Sequence, residues 1–285
     1  MKKRKIILLI SIILVVFLLV LYLYFENVFL EVSNYDIVSD KLPKEFNNFK
    51  IIQISDYHNS KTKKLNKDLI NTIKNEKPDM IVITGDFIDS RDTNIDVAID
   101  FIKKINGIAP IYYVTGNHEA RVIVNYKELK ENMEEQNVIV LENETEVIEI
   151  GEDKINIIGI NDPQMVNENL IEDSSIIDKE LEVSNYDSTL FSILLSHRPE
   201  TFGTYVDNNI DIVFSGHAHG GQIRLPFIGG IIAPNQGVFP KYTNGLFKEN
   251  NTNMIVSRGL GNSIIPLRVN NRPELVIVTL KNNYI

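Results

Sequence analysis

Apolar and polar positions follow two different periods along the chain, and together they outline a layered α/β protein. Short apolar runs at 49–56, 79–84 and 110–115 are bounded by polar or turn residues, a pattern that predicts strands. Between these runs, at 63–77 and 94–105, apolar residues recur every three or four positions, as they do on the buried face of a helix. The order strand, helix, strand, helix, strand predicts a layered α/β domain.

The pattern continues through the rest of the chain with two interruptions. A charged surface helix is predicted at 121–136, and further strands are expected at 28–38, 138–141, 147–150, 155–160, 190–195, 210–214, 254–257 and 275–280. The acidic, amide-rich segment 161–188 has weak helical periodicity, which favours an exposed, mobile excursion over a substrate lid. The Gly- and Pro-rich segment 222–247 is predicted to be mainly loop.

The N-terminus has a different pattern. Four basic residues at 2–5 precede an apolar run at 6–25, which is interrupted only by Ser11, Tyr22 and Tyr24. A helix of about 20 residues spans the hydrocarbon core of a bilayer, and no small-residue cleavage site follows the run. We therefore predict an uncleaved anchor in the cell membrane, with a cleaved signal peptide as the alternative. Because the basic residues precede the run, the N-terminus is expected in the cytoplasm and the rest of the chain outside.

Three parts result from this interpretation: a basic tip and single-pass anchor at 1–25, a juxtamembrane segment with the first strand at 26–48, and one domain at 49–285. With 285 residues, 44% of them hydrophobic, the chain can form a substantial core. The absence of cysteine excludes disulfides, thiolate metal sites and cysteine nucleophiles. The formal net charge is −9 although four cations lie before the anchor, so nucleic acid is not an expected partner of the acidic remainder.

Residues with metal-binding side chains follow the predicted strands. The segments concerned are Asp56-Tyr57-His58, Gly85-Asp86, Gly116-Asn117-His118-Glu119, Ser196-His197 and Gly216-His217-Ala218-His219. All five histidines of the chain lie in these segments. Because ligands of open α/β sheets collect at the carboxyl ends of the strands, we expect the segments to converge although they are far apart in sequence.

The candidate metal ligands are nitrogen and oxygen donors: Asp56, His58, Asp86, Asn117, His197, His217 and His219. They are too many for one tetrahedral zinc ion and suit two neighbouring divalent ions of Mn, Fe, Co or Zn. Two such ions about 3.5–4 Å apart can share a carboxylate and a water, and hold the oxygens of a phosphoryl centre. Each residue also has a structural alternative, such as a cap for Asp86 or Asn117 and an ordinary loop histidine for His197.

Five short motifs, DYH, GDFID, GNHE, SH and GHAH, occur in this order, and the chain thereby resembles the calcineurin-like metallophosphoesterases. More narrowly, the runs GHAHGGQIRLP, SRGLG at 257–261 and PLRVNNRPEL at 266–275 resemble a bacterial membrane-associated subgroup, the YkuE and YaeI type of phosphodiesterase. The resemblance extends over about 49–280. It implies an α/β fold with a two-sheet α/β/β/α sandwich, and a metal-dependent phosphoric ester hydrolase.

The resemblance also implies roles for the candidate residues. It assigns the ligands in three groups: Asp56, His58 and His219 to one ion, Asn117, His197 and His217 to the other, and Asp86 to both. A water or hydroxide between the ions would attack phosphorus. The catalytic residue His118 would stabilise the developing charge or protonate the leaving oxygen. Asp89 and Glu119 are expected to support the site or cap a turn.

Two further groups of residues have open interpretations. Arg121, Arg198 and Arg224 follow or precede the motifs, and they either grip a phosphate or pair with the many carboxylates of the chain. The aromatic residues of the late loop either line an apolar substrate groove or pack the loop onto the core; they are Phe227, Phe239, Tyr242 and Phe247.

The predicted function is that of a membrane-anchored, extracytoplasmic phosphoesterase with two metal ions. Its substrate would be a phosphodiester, a pyrophosphate or a phosphomonoester, and the membrane location favours a lipid-linked or cell-envelope phosphate. The alternative is a catalytically weak metal-binding scaffold that recruits a partner through 161–188. His118 argues against the scaffold, because a scaffold needs no proton donor beside its metals. The oligomeric state is left open.

Overall fold

Two six-stranded sheets lie face to face at the centre of the molecule, and helices cover their outer faces. The structure is a computed structural model that describes residues 2–166, 174–262 and 266–283. Between the sheets lies a core that includes Ile51, Val82 and Phe214, each fully buried. The architecture is therefore an α/β/β/α sandwich, as expected from the sequence.

The first sheet is mostly parallel. It contains β1 (Glu31–Val38), β2 (Lys50–Ile54), β3 (Met80–Thr84), β4 (Ile111–Val114), β5 (Val138–Val140) and β16 (Glu274–Lys281). Their spatial order is β1-β16-β2-β3-β4-β5, so the last strand lies between the first two. Strands β2 to β5 are parallel to one another, whereas β16 is antiparallel to β2 and parallel to β1.

The second sheet is parallel in its centre and antiparallel at both edges. It contains β6 (Glu144–Ile150), β7 (Asp153–Gly159), β8 (Phe191–Leu195), β9 (Ile212–Ser215), β14 (Gly245–Glu249) and β15 (Thr252–Val256), in the order β14-β15-β9-β8-β7-β6. Between β9 and β14, two short hairpins occupy the predicted loop. They are formed by β10 (Arg224–Leu225) with β11 (Gly229–Gly230) and by β12 (Ile232–Ala233) with β13 (Gly237–Val238).

The helices divide between the two outer faces. Those on the first sheet are α2 (Lys63–Glu76), α3 (Ile95–Ile105) and α5 (Ile123–Glu135), and those on the second sheet are α6 (Ser174–Ser184) and α7 (Phe202–Asp207). A five-residue helix, α4 (Asn117–Arg121), precedes α5. Single turns of 3-10 helix lie at Lys44–Phe46, Pro163–Met165, Pro199–Thr201 and His219–Gly221.

The predicted helix at 121–136 differs from the two helices observed. Helix α4 begins at Asn117, inside the GNHE motif, and ends at Arg121. Its first turn is stabilised because the Glu119 carboxylate accepts a hydrogen bond from the backbone N–H of Gly116 at 2.8 Å. The motif therefore forms a helical turn after β4.

The prediction of an exposed excursion at 161–188 is wrong for helix α6. Ile177 and Leu181, four residues apart, are 0% and 1% exposed and pack against the outer face of the second sheet. Residues at this spacing share one helix face, and this face is apolar although the helix as a whole is rich in acidic residues. The part of the excursion at 167–173 lies outside the described residues.

The N-terminal helix α1 (Lys2–Val28) is the one helix in the described ranges that is long and apolar enough to cross a membrane. By length and composition alone, a signal sequence would pass the same test. Its last turns contact the sandwich: the Tyr22 hydroxyl donates to Asn270 Oδ1 at 2.7 Å, and Glu26 Oε2 accepts from the Asn271 backbone N–H at 2.7 Å.

Candidate metal centre

The predicted site residues meet at the edge of the sandwich where the parallel strands of both sheets end. Asp56 and His58 follow β2, and Asp86 follows β3. Asn117 begins α4 directly after β4. From the second sheet, His197 follows β8, and His217 and His219 follow β9. All seven side chains are buried, so the polar groups face one another instead of solvent.

Their donor atoms form two groups that share Asp86. One group is Asp56, His58, Asp86 and His219, and the other is Asp86, His197 and His217; within each, the donor atoms lie within 4.8 Å of one another. In the first group, His219 Nε2 is 3.2 Å from both His58 Nε2 and Asp56 Oδ1. In the second, His197 Nε2 is 3.3 Å from Asp86 Oδ2. The structure thus brings these residues together in the sets implied by the resemblance, while their role as metal ligands stays a prediction.

Asn117 joins the second group through its amide. One atom of the amide lies 2.8 Å from His217 Nδ1, and the other lies 3.2 Å from Nη1 and Nη2 of Arg121. With the nitrogen towards His217 these contacts are ordinary hydrogen bonds. With the oxygen towards His217, the amide accepts from Nδ1–H of the neutral ring, and a cation that displaces this proton would meet an oxygen and a nitrogen lone pair. Asn117 can therefore act as an oxygen ligand once the amide has this orientation.

The electrostatics of the first group suit a bound cation. Burial lowers the pKa of His58 to about 3 and that of His219 well below its usual range, so both rings are neutral. Burial also raises the pKa of Asp56 to about 6, and Asp86 adds to that effect. Neutral imidazoles and carboxylates whose lone pairs converge in a buried space are the donor set of divalent transition metals. The residues present therefore fit the metal that the sequence implies.

His197 has the environment of an oriented ligand. Its Nδ1 is 2.7 Å from the carbonyl oxygen of Thr84, at the end of β3, which leaves Nε2 to face Asp86 and His217. A carbonyl that accepts a hydrogen bond from one ring nitrogen fixes the tautomer of a metal-binding histidine. Burial lowers the pKa of His197, but Asp86, Asp56 and Asp162 together outweigh burial and raise it to about 10. The surroundings of Nε2 therefore favour a positive charge, which a metal ion would also supply.

His118 borders the site without belonging to either group. The Ser90 backbone N–H donates to its Nδ1 at 3.0 Å, so the ring proton of the neutral form is on Nε2, 4.0 Å from Asp86 Oδ2. Burial opposes protonation, but Asp86 and Asp89 together raise the pKa of His118 above its ordinary value. His118 therefore presents an N–H donor to the pocket between the two groups.

Two carboxylates predicted to support the site have different contacts. Glu119 is fully buried and accepts backbone N–H groups from Asp86, Phe87, Ile88 and Gly116 at 2.8–3.0 Å. It therefore ties the loop after β3 to the loop after β4. Asp89 accepts from the backbone N–H and the guanidinium of Arg91 and lies 3.5 Å from His118 Nδ1.

The backbone at the site is strained. Five of the seven predicted ligands have a positive φ: Asp56, His58, Asp86, His217 and His219, at 45–65°. Few residues other than glycine adopt this region, and each such residue costs about 1–3 kcal/mol. Strain of this kind persists where the surrounding structure imposes it, and it is concentrated at functional sites.

Of the three arginines, Arg198 and Arg224 have partners within the protein. Arg198 is buried and binds Asp162 with two hydrogen bonds, at 2.5 and 2.8 Å, and its Nη1 lies 3.1 Å from His217 Nε2. Burial and then Arg198 lower the pKa of His217 and keep that ring neutral. Arg224 donates to the Gly220 carbonyl.

Sequence reasoning missed three of the supporting residues. Thr84, Ser90 and Asp162 were not singled out as functional residues, although Asp162 lies in an Asn-Asp-Pro turn after a strand. Thr84 acts through its carbonyl and Ser90 through its backbone N–H, so neither role depends on a side chain. Such contacts leave no signal in a single sequence.

Two cavities adjoin the centre. A small one of about 80 Å³ lies over Asn117, His118 and His217 and also contacts Arg121 and Asn235. A larger one of about 380 Å³ extends from His58 and Asp89 to Asn27 near the end of α1. The centre is therefore accessible from two sides, one of them next to the N-terminal helix.

Comparison with known proteins identifies the family. The family model described as calcineurin-like phosphoesterase matches residues 49–221. The uncharacterized metallophosphoesterase YkuE of Bacillus subtilis is 35% identical, over 91% of this chain and 88% of that protein. An uncharacterized metallophosphoesterase of Aquifex aeolicus is 32% identical, over 91% of this chain and 95% of that protein. Phosphodiesterase YaeI of Escherichia coli is 27% identical, over 81% of this chain and 82% of that protein.

The matched region contains all the predicted ligands, from Asp56 to His219. Proteins of this kind are metal-dependent hydrolases with a dinuclear metal site, and the protein is accordingly a metal-dependent phosphoric ester hydrolase. The chain belongs to the calcineurin-like phosphoesterase family.

Proposed function

We propose that the protein is a membrane-anchored phosphodiesterase that works with two divalent metal ions at this centre. The observation that carries the proposal is the position of Asp86, whose carboxylate belongs to both groups of donor atoms. One carboxylate shared between two buried donor sets is the arrangement that a pair of neighbouring ions requires.

The ligand assignment follows the two groups. Asp56, His58 and His219 would hold one ion, Asn117, His197 and His217 the other, and Asp86 both. Bound there, ions of the Mn, Fe, Co or Zn kind supply Lewis acidity and a water of lowered pKa. Glu119 holds the loops that carry Asp86 and Asn117, and Arg198 keeps His217 neutral.

His118 is proposed as the proton donor. Hydrolysis joins a water oxygen to phosphorus and breaks the bond from phosphorus to the leaving oxygen, which needs a proton as its negative charge develops. His118 Nε2 carries its proton at the edge of the small cavity, in which a phosphate would face Asn117 and His217. Arg121, at the same cavity, would attract the non-bridging phosphate oxygens.

The proposed location favours a substrate at the membrane surface. Helix α1 contains a long apolar run, with basic residues before the run, which supports a cytoplasmic N-terminus and an external catalytic domain. The larger cavity connects His58 with Asn27 near the end of this helix. A lipid-linked or cell-envelope phosphodiester would reach the centre from that side, and the name of YaeI supports a diester.

The proposal is tested with the full chain purified in detergent. Metal content is measured, and diester, monoester and pyrophosphate substrates are assayed with added Mn, Fe, Co or Zn. We expect two ions per chain and the highest kcat/KM on a diester. Two bound ions without turnover on any substrate would contradict the proposal and favour the scaffold alternative.

A pair of variants separates metal binding from proton transfer. His118→Gln is expected to keep both ions and to lose about 10²–10⁴ in kcat. Asp86→Asn, the matched ligand variant, is expected to lose metal and activity together. Full activity of His118→Gln with both ions bound would refute the role of His118 but leave the metal centre intact.

A further inference from the structure

The segment 225–240, here called the apolar loop, has a composition unlike the rest of the protein. It contains no charged residue, although 24% of the chain is charged. Its hairpins expose large apolar side chains to solvent: Leu225, Phe227, Ile228, Ile232, Val238 and Phe239 are 41–109% exposed. A concentration of exposed apolar side chains in one short segment marks a surface that contacts a membrane or another protein.

The backbone of the apolar loop directs aromatic side chains outward. Phe227 and Phe239 have φ values of 68° and 55°, a region that residues with bulky side chains rarely adopt. The neighbouring aromatic residues Tyr242 and Phe247 instead pack against the core of the second sheet. The loop is therefore anchored on its inner side, while its aromatic tips form neither a substrate groove nor part of the core.

Hydrogen bonds connect the start of the apolar loop to the end of the apolar part of α1. The Tyr22 hydroxyl donates to Asn270 Oδ1 at 2.7 Å, and Asn270 Nδ2 donates to the carbonyl of Arg224 at 3.0 Å. Arg224 begins the first hairpin. With Tyr22 at the outer boundary of the bilayer, Asn270 links it to Arg224 at the start of the apolar loop. The loop therefore begins close to the lipid headgroups.

The charges around the apolar loop suit an anionic lipid surface. The half-buried Arg224, which donates to the Gly220 carbonyl, precedes it and the exposed Lys241 follows it, so each end has a cation in a chain whose net charge is −9. Apolar side chains flanked by cations are the pattern of segments that lie in the headgroup region. On its inner side, Asn235 of the same loop borders the small cavity over His118 and His217.

We propose that the apolar loop docks into the headgroup region of the bilayer that α1 spans, as a second membrane contact beside the helix. Docking at two points holds the metal centre at the lipid surface, so the substrate class is an amphiphilic phosphodiester whose apolar part stays in the bilayer. This inference rests on the proposed membrane anchor. The occupant of the loop surface is lipid, not a protein partner.

The absence of tryptophan from the chain permits a direct test. Three single-tryptophan variants of the full chain are reconstituted in vesicles of phosphatidylcholine and phosphatidylglycerol with brominated acyl chains as quenchers. Phe227→Trp probes the apolar loop, and Phe17→Trp probes α1. Glu152→Trp is the control, because Glu152 is exposed in the turn before β7, at the end of the sandwich opposite the metal centre.

The expected result is distinct for each variant. Phe227→Trp emission shifts to shorter wavelength and is quenched by bromines near the headgroups, Phe17→Trp is quenched by bromines near the bilayer centre, and Glu152→Trp is not quenched. An unquenched Phe227→Trp beside a quenched Phe17→Trp overturns docking and leaves the anchor intact. A blue shift of Phe227→Trp without quenching also overturns it, since protein then covers the loop. An unquenched Phe17→Trp refutes the anchor and, with it, the docking.

Discussion

At the scale of single residues, Glu119 connects two loops of the centre through backbone hydrogen bonds. Its two oxygens accept four N–H groups from the loops after β3 and β4, although burial, with Asp86, raises its pKa to about 7. The Glu119 carboxylate can therefore affect metal binding only indirectly, by fixing the positions of the candidate ligands on these two loops. Residues of this kind orient ligands in metal sites and affect metal affinity when they are changed.

Glu119→Gln is expected to lower metal affinity about 10–100-fold. The amide nitrogen cannot accept a hydrogen bond, so N–H groups of the two loops lose their partner and the loops shift. Metal affinity is measured by competition with a chromogenic chelator. Glu128→Gln, an exposed change of the same charge in α5, is the control and should have native affinity. Native affinity in Glu119→Gln would show that the loops do not depend on it.

The ligand candidates could be predicted from single residues because imidazole and carboxylate side chains are themselves the functional groups. Five histidines, all at predicted strand ends, favoured metal ligands over the structural alternatives. The carbonyl of Thr84 and the N–H of Ser90 could not be predicted, because every residue type provides these groups. The pairing of Arg198 with Asp162 is a contact between segments 36 residues apart, and no local pattern indicates it.

At the scale of elements, helix α6 combines an apolar face with a buried carboxylate. Glu180 is 5% exposed, and burial, with the nearby charge of Asp162, raises its pKa to about 8 from an ordinary value of 4.5. The folded state therefore keeps the proton of Glu180 in a pH range in which the unfolded state releases it. A group whose pKa is raised in the folded state favours unfolding as pH rises through that range.

The free energy of unfolding should therefore fall between about pH 4.5 and pH 8 through Glu180. Glu180→Gln should remove this contribution and stabilise the protein at pH 8 by on the order of 2 kcal/mol. Urea unfolding at several pH values measures the difference. Glu182→Gln, exposed on the same helix, should leave the pH profile unchanged. Identical profiles for Glu180→Gln and the native chain would contradict the expectation.

The loop after β9 depends on a close approach to the loop after β2. A Cβ on Gly216 would lie 1.9 Å from Ser55 Oγ and 2.4 Å from Asp56 Oδ2. On the other side, Gly259 of the SRGLG motif has a φ of 70° and would place a Cβ 2.6 Å from that of Asp56. Glycine at both positions lets three loops enclose the Asp56 carboxylate.

Gly216→Ala should displace Asp56, weaken binding of the ion that Asp56 holds and lower the melting temperature. Gly203→Ala in α7 is the matched control, because nothing lies within 4 Å of its added Cβ. In a helix this change is expected to stabilise by about 0.5–1 kcal/mol. Metal analysis and thermal unfolding test the pair, and normal metal content in Gly216→Ala would show that the loop can adapt.

Strands and amphipathic helices were predicted because their apolar residues repeat over several positions. Helix α4 has only five residues, too few to show a period, and it begins within the GNHE motif. The apolar face of α6 was missed because acidic and amide residues surround Ile177 and Leu181. The hairpins at 224–238 have two-residue strands, which carry no detectable alternation.

At the scale of the whole molecule, the metal centre joins the two sheets. Asp56, Asp86 and Asn117 come from the first sheet, whereas His197, His217 and His219 come from the second. Removal of metal should therefore weaken the contact between the sheets as well as abolish activity. A ligand bound only by the folded state also stabilises it by mass action, by about 2.7 kcal/mol at a concentration 100 times the Kd.

Chelation is accordingly expected to lower the melting temperature, and added Mn should restore it in proportion to the logarithm of its concentration. Differential scanning calorimetry of the full chain in detergent measures both changes. In Asp86→Asn, the same additions should have little effect. Equal melting temperatures of the chelated and the metal-loaded native chain would argue against ions that bridge the sheets.

The α/β layering could be predicted from the order of elements, but the strand order of the first sheet could not. β16 pairs with β1 and β2, from which it is separated by more than 200 residues, and such pairing depends on the complete fold. The resemblance to a known family predicted the two-sheet sandwich. The periodicity of apolar residues predicted only a layered α/β domain.

The insertion of β16 between β1 and β2 has a consequence for synthesis. Within this chain β1 is translated long before residues 274–281, yet among the described residues its sheet partner is β16. A nascent chain that stops before Glu274 would leave the edges of β1 and β2 unpaired, and unpaired strand edges are prone to aggregation. The first sheet can therefore be completed only after residues 274–281 have been translated.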